Sequence, residues 1–298
     1  MACQLTVGMP VYNGERYLQA ALDGIRAQTF GDFEVVIADN ASTDGTRDIA
    51  EAVVAEDSRF RYVRRPENIG LVGNWNNVFN DTGGEFFHWH AGDDVAAPEF
   101  YAACVALLTA RPDAAAAVSD ICLIDSSGAE IRPSDETIVT DHPDTARRFT
   151  ELASFGHFCQ FSYGVYRREM MARTRLMLPF FWSGDRLFLA ELALQGPLLR
   201  DARRLYYVRL HGERVTSGGR ADFYAGLASP QRGTTLRYTK ELFRAIDHAQ
   251  LSAAENKRVR RATRLWMLRN SPRLARSAAG GAVAGGLGAV ARRRRPED

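Results

Sequence analysis

Residues 86–94 spell FFHWHAGDD, a short stretch rich in groups that could do chemistry. Two imidazoles, His88 and His90, lie in an aromatic run that stops at two adjacent carboxylates, Asp93 and Asp94. Neighbouring carboxylates repel each other unless a cation or solvent comes between them. A divalent ion held by the carboxylates is one reading, and a polar turn after a buried strand is another. A third is a zinc ion on the histidine pair, because residues i and i+2 of a strand share a face. Phe86, Phe87 and Trp89 surround the imidazoles, which favours packing or hydrogen bonding over zinc for them.

Elements that could position such groups follow one another along the first 120 residues. LTVGMP (5–10), FEVVIAD (33–39), RFRYVRR (59–65), EFFHWHA (85–91) and AAAAVSD (114–120) have strand character. Between them, residues 15–28, 44–56, 74–82 and 98–111 carry helical patterns, with Tyr17, Leu18, Ala21, Leu22 and Ile25 spaced for one helix face. Pro98 suits the opening of the fourth helix. This alternation predicts an α/β fold with a mostly parallel sheet covered by helices on both faces. Ligands of such sheets sit at the carboxyl ends of the strands. Here those ends are PVYNGE, DNASTDG, RPENIG and AGDD. Turn chemistry explains part of that polarity, with Asn13 placed to cap a helix and STDG (42–45) to form a turn. Four polar ends on one sheet edge point to a polar ligand.

At 298 residues, 46% hydrophobic and 25% charged, the chain can build one large domain with an appendage. Its four cysteines form no CxxC pair, which argues against a zinc knuckle or disulfide framework and fits a reducing, cytoplasmic setting. The first residues enter a strand pattern without the basic leader and apolar core of a signal peptide. The net charge of +2 hides an asymmetry: residues 254–298 hold 12 Lys/Arg against 3 Asp/Glu, so residues 1–253 sum to −7. The basic surplus belongs to the tail, and no nucleic-acid partner is expected for the main domain.

Taken together, PVYNGERYLQAALDGIRAQTF, VVIADNASTDGT, RPENIGLVGNWN and GDD resemble, in order and spacing, the family 2 glycosyltransferases over about residues 4–215. The resemblance implies a GT-A-type, mostly parallel sheet flanked by helices on both faces, with a C-terminal helical extension here. It implies transfer of a sugar from a nucleotide-sugar donor to a saccharide or lipid-linked acceptor, with inversion and with Mn²⁺ or Mg²⁺. Pro10, Tyr12 and Glu15 match the loop that holds the nucleotide, and Tyr12 has a face on which a base can stack. Asp39 matches the carboxylate that accepts from a base ring N–H, and Asn68 and Gly70 match a loop beside the nucleotide. Trp75 stands where the family often has an arginine. Asp94 is the first choice for the metal, with Asp93 on the metal or the donor sugar, and Ala91 occupies the usual first acidic position. His211 matches a histidine that meets the metal or the diphosphate, with Arg209 or Arg214 near the phosphates. Asp185 in FFWSGDRLFLAELALQG matches the general base, against a helix-capping role for the same residue. Glu191 is a weaker substitute, and Tyr163 and Gly164 match a segment lining the acceptor side.

The domain expectation is a catalytic unit over residues 1–215, with a nucleotide-binding half (1–120) and an acceptor-side half (121–215). Residues 216–298 follow as a basic helical extension ending in a flexible Gly/Ala/Arg tail. Its helices, with Leu265, Trp266 and Leu268, suit peripheral contact with an anionic membrane, or else Trp266 packs on the catalytic domain. Two rivals stand beside the transferase: a nucleotidyltransferase, which would want a Gly-rich basic loop after the first strand, and a catalytically inactive nucleotide-sugar-binding protein.

Overall fold

An apolar run such as LTVGMPV can be buried on both faces only inside a covered sheet, and β1 (Leu5–Val11) is buried at every residue. The protein is seen here in a computed structural model, which describes residues 3–134, 138, 140–154, 159–179, 184–211 and 234–279. After β1 come α1 (Glu15–Arg26), β2 (Phe33–Asp39), α2 (Thr46–Glu56), β3 (Phe60–Arg64), α3 (Leu71–Asn80) and β4 (Phe86–Trp89). The chain continues through β5 (Val95–Ala96), α4 (Phe100–Ala110), β6 (Ala116–Ile124), β7 (Glu130–Pro133) and α5 (Thr145–Leu152). A 3-10 turn (Gln160–Tyr163) leads to β8 (Val165–Arg167), α6 (Arg168–Met171), α7 (Gly184–Gln195), β9 (Leu198–Arg209), α8 (Thr234–His248) and α9 (Ala253–Ala279).

Among the described residues the strands form one sheet in the order β3-β2-β1-β4-β8-β6-β9-β5, with β7 added beside β6. The first four strands are parallel, as the βα alternation predicts. The fifth predicted strand, β6, does not follow β4 directly. Antiparallel β8 lies between them, so β6 and β9 run the same way as β1–β4 at one strand's remove. Alternation along each strand divides the core. Val7, Met9, Val35 and Ile37 face α1, α2 and α4, whereas Val36, Ala38, Phe87 and Trp89 face α3 and α7. The fold is therefore α/β, with helices on both faces of a mixed sheet.

Several helix starts differ from the sequence expectation for local reasons. The N-cap of α1 is Gly14, which makes no side-chain cap bond. Asn13, expected as the cap, instead adopts a positive φ of 48° and accepts from the Thr43 N–H at 2.7 Å. Helix α3 begins earlier than periodicity suggests because Gly70 turns the chain at φ 78°, a left-handed value that favours glycine. Helix α4 begins at Phe100, two residues after Pro98.

The C-terminal helices α8 and α9 pack with α5 and α7. Tyr238, Leu242, Ile246 and Val259 share a buried cluster with Phe149, Leu187 and Leu194, and Trp266 is partly buried against it. A nearly buried ion network ties this region together. Arg175 donates from its backbone and Nε to Glu191 at 2.8 and 2.7 Å, and from Nη1 to Glu241 of α8 at 2.7 Å. Glu191 is thereby committed to structure. The Gly/Ala/Arg tail beyond Ala279 lies outside the described residues.

Removing one member of a buried ion network leaves its partners charged and uncompensated, which typically costs about 3 kcal/mol or more. Arg175→Met is therefore expected to lower the unfolding free energy by about 3 kcal/mol in urea titrations. A loss well under 1 kcal/mol would show that the network contributes little.

Candidate active site

The strand ends converge on one edge. His90 continues β4 beside β1 through its N–H to the Gly8 carbonyl at 3.0 Å, so Gly92, Asp93 and Asp94 emerge near the PVYNGE loop. Asp94 is completely buried, and its Oδ1 accepts the backbone N–H of Arg209 at 2.9 Å. The Asp93 side chain is 26% exposed, and its Oδ2 lies 2.9 Å from Nε2 of His211. The His211 ring also packs against Tyr17 of α1 at 4.6 Å between centroids. Asp93 and His211, 118 residues apart, thus meet at the end of β4.

Arg209 turns inward. Its guanidinium donates to the carbonyls of Asp93 (2.9 Å) and Asp125 (3.2 Å) and lies over the Tyr17 ring. The side chain expected near phosphates therefore braces the loop, while Arg214 lies outside the described residues. The two carboxylates, with Asp94 expected first on a metal, differ in exposure. Asp94 holds β9 in place, and Asp93 is the one a ligand can approach. Among the described residues no three His, Cys, Asp or Glu side chains enclose an ion. A hard cation that keeps waters and phosphate oxygens as ligands needs only one or two protein carboxylates. Asp93, with His211 and Asp94 beside it, fits that kind of partial site.

The zinc alternative fares differently. His88 and His90 are fully buried, with rings 5.4 Å apart and edge to face. Their Nδ1 atoms pair with the carbonyls of Gly164 (2.9 Å) and Ala91 (2.8 Å). Phe100, Tyr101 and Tyr206 pack around His88. Gly164 is required where it stands, since an added Cβ would lie 2.8 Å from the Ala117 carbonyl oxygen. Burial, with a smaller contribution from His90, pushes the His88 pKa down to about 3; burial also lowers that of His90 to about 4. These imidazoles are neutral packing groups.

On the other side of β1, a shallow open cleft is lined by Pro10, Tyr12, Asn40, Asn68, Asn74 and Trp75, among others. Three of the expected nucleotide residues, Pro10, Tyr12 and Asn68, therefore come together. Asn68 Oδ1 accepts from Asn40 Nδ2 (2.6 Å) and from the Gly70 N–H (2.8 Å), which shapes the loop. Glu15 instead accepts from the Gly45 N–H at 2.7 Å and ties the first two loops together. Asp39 is fully buried. Its Oδ1 accepts from the Ser42 N–H (2.8 Å), and its Oδ2 accepts from Tyr62 Oη (2.5 Å) and Arg64 Nη1 (2.7 Å). Burial, then the bond to Asp39, raises the Tyr62 pKa to about 12.

Asp185 sits in the first turn of α7, and its Oδ1 accepts the Arg186 N–H at 2.7 Å. One turn later on the same helix face, Phe188 packs on Trp89 of β4 at 5.2 Å. That contact fixes α7 against the strand leading to Asp93. Sequence reasoning missed Asn74 as a lining residue and the backbone role of Arg209, and each depends on partners distant in sequence.

The parallel β3-β2-β1-β4 edge, with a strand-end cleft and an acidic pair beyond β4, is a fold of the GT-A type. The model of Glycosyl transferase family 2 matches residues 6–174, more than half of the 298, and the chain belongs to that family. EpsH of Bacillus subtilis is 31% identical over 175 residues, covering 57% of this chain and 48% of that protein. The chain thus spans about half the length of that relative. The Campylobacter jejuni GalNAc(5)-diNAcBac-PP-undecaprenol beta-1,3-glucosyltransferase is 23% identical over 223 residues, 74% of this chain and 70% of that one. Among solved structures, S. aureus TarS 1-349 in complex with UDP-GlcNAc superposes with a TM-score of 0.66 at 17% identity. That match covers 89% of this chain and 73% of the TarS 1-349 chain. The mannosyltransferase PcManGT from Pyrobaculum calidifontis, in complex with GDP-Man and Mn²⁺, gives 0.51 at 18% identity over 98% and 80%.

Neutral burial of His88 and His90 makes stability depend on pH. Below about pH 6.5 the unfolded chain protonates these imidazoles while the folded protein does not, so stability falls as pH drops from 6.5 toward 4. Acidification from pH 7 to 5 is expected to remove about 2 kcal/mol per histidine. In urea unfolding, His88→Gln should lose that much less than the wild type over this interval; equal losses would contradict the neutral burial.

Proposed function

We propose that the chain is an inverting, cation-assisted glycosyltransferase that moves a sugar from a nucleoside diphosphate to an acceptor hydroxyl. The observation that carries the proposal is the meeting of Asp93 and His211 at the end of β4, on the same sheet edge as the ends of β1, β2 and β3 where the cleft lies. Pro10, Tyr12, Asn68 and the Gly70 turn hold the nucleotide, with Glu15 and Asp39 shaping the loops around it. Asp93 and His211, backed by Asp94, are the residues that would hold Mn²⁺ or Mg²⁺, and such a cation would neutralise charge on the departing diphosphate. Asp185 takes the proton of the acceptor hydroxyl as its oxygen attacks the anomeric carbon. The bond from that carbon to the diphosphate breaks, and its electron pair leaves with the nucleoside diphosphate. In this reading residues 1–215 are the catalytic unit, and α8 and α9 brace its acceptor side.

The UDP-GlcNAc and GDP-Man complexes of the structural neighbours support a nucleotide-sugar donor. The undecaprenol-linked substrate in the Campylobacter relative's name supports a lipid-linked acceptor in cell-surface polysaccharide or glycolipid assembly. Among the described residues no helix is long and apolar enough to cross a membrane. Contact with a lipid surface would instead use α9, where Lys257, Arg261, Arg264 and Leu268 form an exposed stripe next to Leu265.

Asp185→Asn is expected to reduce sugar transfer by at least about a hundredfold while nucleoside diphosphate affinity stays within about twofold. Unchanged turnover would exclude Asp185 as the base. The full chain should float with anionic vesicles, and Leu265→Ser with Leu268→Ser should weaken flotation. Equal flotation of both proteins would remove the membrane contact.

A further inference from the structure

Arg209 brings to the site a charge that the proposed function does not use. A guanidinium keeps its proton in proteins, and this one is buried, with Arg209 only 4% exposed. The backbone N–H of Arg209 meets Asp94 Oδ1 at 2.9 Å, and its Nε meets the Asp93 carbonyl at 2.9 Å. Nη1 reaches the carbonyls of Asp125 (3.2 Å) and Ser126 (3.5 Å) in the turn between β6 and β7. The Tyr17 ring centroid lies 5.0 Å from Cζ. The guanidinium thus meets neutral groups, and among the described residues no carboxylate pairs with it.

Buried charges are ordinarily paired, because neutral dipoles recover only part of the lost hydration. Asp125, whose carbonyl Nη1 touches, turns its carboxylate to its own loop. That carboxylate accepts from the Ser127 N–H (2.8 Å), the Ser127 hydroxyl (2.6 Å) and the Ala129 N–H (3.0 Å). The acidic pair at the end of β4 is placed otherwise. By holding the Asp93 carbonyl and the Asp94 side chain at once, Arg209 keeps its charge within one residue's reach of both carboxylates. Adjacent carboxylates disfavour each other's ionisation, and a nearby cation relieves this. Here the fold supplies one.

We infer that the Arg209 guanidinium is the resident counter-ion of Asp93 and Asp94, and that it keeps the site from holding a divalent cation until a diphosphate is present. Two carboxylates and one guanidinium leave a single net negative charge. A divalent ion entering alone would meet a fixed positive charge at close range, and that repulsion offsets much of the attraction of the carboxylates. The oxygens of a nucleoside diphosphate restore the missing negative charge. Cation binding is thereby conditional on nucleotide binding. The inference rests on the cation site of the proposed function and adds the residue that sets when that site fills.

Mn²⁺ titrations read by electron paramagnetic resonance test it, on the full chain alone and saturated with UDP or GDP. Without nucleotide, Asp93→Asn should change Mn²⁺ affinity by less than about twofold; with nucleotide it should lower it at least about tenfold. Arg209→Gln keeps a donor for the Asp93 carbonyl and removes the charge. It should bind Mn²⁺ alone at least about tenfold more tightly than the intact chain, whereas Arg209→Lys should stay within about threefold. Loss of a mere brace would loosen Asp93 and weaken binding, so a gain reports the charge. Unchanged or lowered affinity in Arg209→Gln, or equal gains in both variants, overturns the inference. If Arg209→Gln does not fold, the intact chain decides. Asp93-dependent binding that appears only with nucleotide supports the inference, and the same binding without nucleotide overturns it. Absence of Asp93-dependent binding in every arm, nucleotide included, would instead overturn the cation-site reading itself and the inference with it.

Discussion

Asp94 is a buried carboxylate, and burying one is expensive unless hydrogen bonds replace the lost water. Its Oδ1 meets the backbone N–H of Arg209, and the Arg209 guanidinium closes on the carbonyl of Asp93 from the same side. These contacts join the end of β4 to the end of β9 across 115 residues of sequence. Everything at the site depends on that junction. It delivers His211, two residues beyond the end of β9, to Asp93. It also aims the Asp93 side chain outward, because Asp94 has taken the inward position.

The junction clarifies the division of labour in FFHWHAGDD. A strand alternates its faces, so Phe87 and Trp89 enter the layer under α3 and α7, while His88 packs with Phe100, Tyr101 and Tyr206. Conspicuous imidazoles are spent on packing, and the chemistry falls to the residues that leave the strand. Trp89 contributes in another way: by seating Phe188 it fixes the helix that carries Asp185. Ala91 supplies no side-chain oxygen, so its part is the carbonyl that holds His90.

The parallel half of the fold was legible because β1, β2 and β4 are short, almost wholly buried runs and a helix follows each of β1, β2 and β3, which are local patterns. The insertion of β8 between β4 and β6 was not, since β8 has only three residues and its place is set by pairing with distant strands. Site residues show the same division. Pro10 sits near the end of β1, and Tyr12 and Asn68 in loops that local sequence specifies, and the structure brings them to one cleft. The inward turn of Arg209 and the closure of Arg64 and Tyr62 over Asp39 depend on side-chain partners far along the chain. No linear spacing encodes them. The preference of Asn13 for Thr43 over its own helix shows how a tertiary partner can override a capping signal.

The central claim is that Asp93 and His211 meet to hold a cation-bound diphosphate at the strand-end edge of the sheet. The most direct test is the thermal stabilisation of the protein by nucleoside diphosphates, with and without Mn²⁺, in the intact chain and in Asp93→Asn. The account predicts a stabilisation by nucleotide and cation together that exceeds the sum of their separate effects, and its disappearance in Asp93→Asn. Equal stabilisation with and without the cation, or the same synergy in Asp93→Asn, would contradict it.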